Sequence, residues 1–155
     1  MRNRSRLLAA VLAALSQAAT AGERGAPPAA PLLPAYQAEC SGCHVAYPPG
    51  LLPAASWQRV MQTLPQHYGA DASLDPAQAA ALSAWLQAHA GTSRRAAVAP
   101  PEDRITRSAW FIRKHDEVPA AAWQRPSIKS AANCGACHPK ADQGDFNEHQ
   151  VRIPR

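Results

Sequence analysis

Two short stretches, Cys40-Ser41-Gly42-Cys43-His44 and Cys134-Gly135-Ala136-Cys137-His138, hold all four cysteines of the 155-residue chain. Each reads Cys-x-x-Cys-His. Two thiols at this spacing can each add to one vinyl group of a haem, and the next residue then sets its imidazole under the iron. A four-thiolate zinc site leaves the histidine after each pair unexplained, and 90 residues separate the pairs. A thioredoxin-like dithiol needs a βαβ setting, and structural disulfides do not call for a histidine either. The expectation is two covalent haem c groups held by Cys40, Cys43, Cys134 and Cys137, with His44 and His138 as proximal iron ligands.

That reading bears on the fold. Val, Ile and Thr are too scarce for the β-branched runs that mark strands, whereas Ala and the fifteen prolines favour short helices and loops. Aromatic residues make up only 6% of the chain, so large groups for a core are few. Modules below roughly 70–80 residues usually need a covalent or metal staple, and a pair of haems would supply one. We therefore expect a mostly α, small helical c-type cytochrome with long loops. Its two haem modules would be 22–91 and 102–155, joined by a linker over 92–101.

The N-terminus reads as an export signal. Arg2, Arg4 and Arg6 precede an apolar run from Leu7 to Leu15, and Ala19-Thr20-Ala21 fits a small-x-small cleavage site. The run is shorter than the ~20 residues of a spanning helix. A signal peptide over 1–21 would leave a mature periplasmic chain that does not span a membrane. Its thirteen basic and eleven acidic residues give a net +2 in place of +5. Haem propionates would lower this further. No basic patch is interleaved with aromatics, so nucleic-acid binding is not expected.

Along the mature chain, Glu23 to Ala35 reads as an extended lead-in and Tyr36 to Cys40 as a short helix. The proline-bounded loop from Tyr47 to Pro53 is expected to lie against a haem edge. Ser56 reads as the N-cap of a helix carrying Trp57, Val60, Met61 and Leu64 on one face and stopped by Pro65. Asp75 reads as the next N-cap, with Pro76 first in the helix, Gln78 closing a capping box, a Leu82/Trp85/Leu86 stripe, and Gly91 ending it. Further helices are expected around Ser108 to His115 and from Ser127 into Cys134, before a polar tail that wraps the surface. Arg94, Arg95, Arg104 and Arg107 are candidates for steering an acidic partner.

The sixth iron position decides the chemistry. Met61, the only methionine outside the leader, sits on an apolar helix face and is better read as core. Four histidines remain for two irons. His67 lies in a loop that can turn an imidazole onto a haem face, and His115 ends a segment bearing Trp110 and Phe111. These are the favoured distal ligands. His89, at i+7 from Leu82, is a rival to His67, and His149 in the polar tail reads as solvated.

The stretches ECSGCHVAYPPGLLPAASW, HYG at His67, RITRSAWFIRKHDEV around His115 and NCGACHPKADQGDFNEHQVRIPR together resemble the bacterial dihaem cytochrome c family of periplasmic electron carriers. The resemblance implies two six-coordinate haems with two histidines each, matching His44/His67 and His138/His115. It also implies low potentials and exchange with a membrane b-type cytochrome or a small soluble haem protein. We expect a monomeric electron carrier and no catalytic constellation. The alternative is a haem enzyme, gas binder or sensor with one open iron.

Overall fold

The computed structural model describes residues 32–155. The expected signal, 1–21, and most of the lead-in lie outside them. Among the described residues the regular structure is helical, with no β-strand. Four α-helices, α1 (Pro34–Cys40), α2 (Ala54–Gln62), α3 (Pro76–Ala88) and α4 (Ala109–Lys114), are interspersed with 3-10 turns, two of them between α3 and α4 and four after α4. None is long and apolar enough to cross a membrane.

Pro34 opens α1, where its missing N–H costs nothing. The helix carries Tyr36 inward and stops as the first cysteine pair begins. Asp75 caps α3 as expected, its carboxylate accepting from the amides of Ala77 and Gln78. The reciprocal arm of the capping box is not made, because the Gln78 amide donates instead to Glu39 on α1 at 2.7 Å. The α2 start also differs from expectation. Pro53 stands at the N-cap, and Ser56 is fully buried inside the helix, where its hydroxyl accepts from Arg59. At the other end α2 stops at Gln62, and Pro65 falls in a separate 3-10 turn over Leu64–Gln66.

Helices α2 and α3 pack together over a core of Tyr36, Ala46, Leu52, Trp57, Leu82 and Leu86, with Met61 against it. Each fully buried leucine contributes about 1.5–3 kcal/mol. The Tyr47–Pro53 loop belongs to this core: Leu52 is buried, and the Trp57 indole donates to the Pro49 carbonyl oxygen at 2.7 Å. Gly91 does not cap α3, which ends at Ala88 with His89 as C-cap. Its role is close approach. The Gly91 amide donates to the Leu52 carbonyl oxygen at 2.8 Å, and a Cβ there would fall 2.3 Å from the Gly50 carbonyl oxygen.

The C-terminal half is built mainly of turns. Ser108 caps α4 by accepting from the Phe111 amide. Residues 127–133 form turns, not the expected helix, and Cys134–Ala136 is one 3-10 turn. The tail folds back over the second motif through the Arg152 amide, which donates to the Cys137 carbonyl oxygen at 2.9 Å. Arg125 holds the Pro154 carbonyl oxygen.

Candidate haem centres

The fold brings the histidines together in two pairs. The rings of His44 and His67 lie with centroids 6.2 Å apart and planes 27° from parallel. Those of His115 and His138 are also 6.2 Å apart, but their planes cross at 72°. Two imidazoles bound on opposite sides of one metal, through bonds of about 2 Å, place their ring centres about 6 Å apart. Each pair therefore joins the histidine of one Cys-x-x-Cys-His motif to a second imidazole at the separation a shared iron requires.

The partners outside each pair orient the rings. His44 Nδ1–H donates to the Val45 carbonyl oxygen at 2.8 Å, which leaves Nε2 for a metal. In the second pair the ring outside the motif is the one so held: His115 Nδ1–H donates to the Phe111 carbonyl oxygen at 2.9 Å. His115 also stacks on the Phe111 ring at 3.9 Å. The Nδ1 of His138 is buried without a hydrogen-bond partner.

His67 is presented by a tight turn. Tyr68 and Gly69 both have positive φ, 51° and 101°, and the Ala70 amide closes the turn onto the His67 carbonyl oxygen at 3.1 Å. Two successive positive φ values match a primed two-residue turn, which is why glycine suits position 69. The Tyr68 ring lies edge-on to His67, under the Arg104 guanidinium at 4.2 Å, and its hydroxyl donates to the Glu102 carbonyl oxygen at 3.0 Å. Glu102 and Asp103 themselves have positive φ. Arg59 secures that segment with two bonds to the Asp103 carboxylate, which they hold below its ordinary pKa.

The protonation states suit metal binding. Burial, with a smaller effect from His44, lowers the pKa of His67, and burial with His115 lowers that of His138. Both effects favour the neutral imidazole that binds a metal. Burial pushes the Cys40 and Cys134 thiols up to about 11. Among the described residues no group of three or more His, Cys, Asp or Glu side chains converges to hold an ion. Two thiols and two facing imidazoles per site fit a covalently attached haem.

The remaining candidates lie elsewhere. His89 is exposed, and its Nδ1–H donates to the Trp85 carbonyl oxygen, so the ring turns back along α3. His149 is exposed in the tail. Arg104 and Arg107 both pair with Glu102, whereas Arg94 and Arg95 are exposed. Sequence reasoning missed the partners of the rings. The Phe111–His115 spacing of four on a helix was a readable signal. Contacts such as Tyr68 with Glu102, 34 positions apart, left none.

Comparison with known proteins identifies relatives of the chain. The family model for dihaem cytochrome c matches residues 36–146. A dihaem c-type cytochrome from Shewanella baltica, known from an X-ray structure, is 40% identical with a TM-score of 0.69, covering 78% of this chain and 92% of its own. A dihaem cytochrome c from Rhodobacter sphaeroides is 40% identical with a TM-score of 0.66, covering 76% of this chain and all of its own. A search of curated proteins finds no match. With a family match over most of its length and relatives at this identity, the chain belongs to the dihaem cytochrome c family and binds two haem c groups.

Proposed function

We propose that the protein is a periplasmic electron carrier whose two irons are each held by two histidines, His44 with His67 and His138 with His115. Cys40 and Cys43 attach the first haem, and Cys134 and Cys137 the second. The observation that carries this reading is the pair of 6.2 Å imidazole separations. Haem iron supplies one-electron exchange between its ferric and ferrous states. Two imidazoles on one iron leave no position for a substrate, which limits each site to passing electrons. Histidine in place of methionine favours the ferric state and a low potential, and Met61 is packed against the core.

The modules are 22–91 and 102–155, joined by 92–101, after export directed by residues 1–21. The partners are redox proteins, a membrane b-type cytochrome or a small soluble haem protein, met by a monomer through small transient interfaces under ~1,200 Å².

Carbon monoxide tests the ligand sets. The reduced wild-type holoprotein should bind none at neutral pH. His67→Ala should open the first site only, His115→Ala the second only, and His89→Ala neither. The ring planes add a second readout. At near-parallel planes the first ferric site should give a rhombic low-spin resonance, and at 72° the second should give a strongly anisotropic one. Rapid stoichiometric binding of carbon monoxide at a wild-type site would replace this reading with that of a haem enzyme, gas binder or sensor.

A further inference from the structure

Tyr47 stands three residues after the first motif, and its ring lies flat against His44, with centroids 4.7 Å apart and planes 17° from parallel. Its hydroxyl donates to the carbonyl oxygen of Ala132 at 2.7 Å, across 85 positions of sequence. That same carbonyl oxygen accepts from the Cys134 amide at 3.0 Å. One side chain thus touches the proximal histidine of the first site and the backbone turn that starts the second attachment motif.

The surroundings hold both ends in place. The Tyr47 carbonyl oxygen accepts from the Tyr36 hydroxyl at 2.9 Å, and Tyr36 belongs to the buried core. On the other side, the Ser130 hydroxyl accepts from the Ala132 amide, and Asn133 donates to the Ile128 carbonyl oxygen. Beside this bridge, Val45 Cγ1 would lie 3.8 Å from a Cβ placed on Gly135, in the middle of the second motif. The segment leaving the first motif therefore runs directly over the second.

We propose that Tyr47 is a positioning residue that couples the two haem sites. Its ring orients His44, and its hydroxyl fixes the Ala132–Cys134 turn, setting the path by which an electron crosses between sites. In that exchange the reduced site loses one electron and the oxidised site gains it. No bond is made or broken, and the phenol keeps its proton. The inference rests on the carrier reading, in which both sites are six-coordinate.

The test uses half-reduced holoprotein and two readouts, the rate of electron exchange between sites and the ferric resonance of the first site. Tyr47→Phe keeps the ring and loses the tether. It should slow exchange several-fold with both sites low-spin and the first resonance unchanged. Tyr47→Leu loses the stacked ring as well and should also shift the first resonance, because only the bond to Val45 then orients His44. Trp57→Phe removes a buried hydrogen bond of the same half, to Pro49. It should lower the melting temperature and move neither readout. Wild-type exchange in Tyr47→Phe, or an equal slowing in Trp57→Phe, overturns the inference. Carbon monoxide binding at a wild-type site instead overturns the carrier reading beneath it.

Discussion

Cys40 closes a seven-residue α-helix, whereas Cys134 opens a single 3-10 turn. The contrast extends outward from the two motifs. Around the first, α1, α2 and α3 bury Tyr36, Leu52, Trp57, Leu82 and Leu86 in one cluster. Around the second, the buried apolar residues are Phe111, Ala122, Ile128 and Ala141, on one short helix and a series of turns. The histidines that face the two motif histidines reverse this order. His67 comes from a turn with positive φ at two residues, whereas His115 sits at the end of α4 with its ring stacked and hydrogen-bonded. The first half thus has the better core and the less regular histidine support, and the second has the reverse. Folding and ring placement are separate problems, solved here by different elements.

The largest expected effect follows from the core. Replacing Cys134 and Cys137 by Ala should cost the second half its order, because little apolar burial remains to hold 102–155. Limited proteolysis should then remove that region. The Cys40/Cys43→Ala counterpart should keep the helical signal of α2 and α3. Equal resistance to digestion in the two variants would erase the distinction between the halves.

Next in size is Phe111→Ala. It deletes the ring under His115 and should destabilise the holoprotein by about 3–5 kcal/mol in denaturant melts. Carbon monoxide should then enter the second site and not the first. If the second site stays closed, the stacked ring is packing and not support.

Tyr68→Phe is a smaller perturbation. It removes the hydroxyl bond to Glu102 and should cost about 1 kcal/mol. Carbon monoxide entry at the first site should rise above its wild-type rate, with the second site unaffected. The smallest effect is confined to acid. Arg59 depresses the Asp103 pKa, so this pair's stability is fully present above the ordinary value of 3.8 and is lost as pH falls through the folded value. Asp103→Asn should flatten that limb of an acid titration, leaving neutral-pH spectra unchanged.

The sequence alone was enough for whatever depends on neighbours along the chain. Cys-x-x-Cys-His spacing, the Asp75–Pro76 start of α3, the short helix between Ser108 and His115 and the lack of β-branched runs are local, and local backbone geometry carries them into the structure. Where a distant group competed, tertiary structure decided. Gln78 left its capping box for Glu39, and Gly91 served Gly50 and not α3. The histidines divide in the same way. His44 and His138 are named by their motifs, and their local settings favoured His67 and His115 among the other four, but neighbours along the chain do not fix where those rings lie. Only packing sets His67 opposite His44 and His115 opposite His138, and lays Tyr47 between motifs that are 90 residues apart. The physical reason is range: caps and motif spacings act within one turn of backbone, whereas a ring's position depends on every element packed around it.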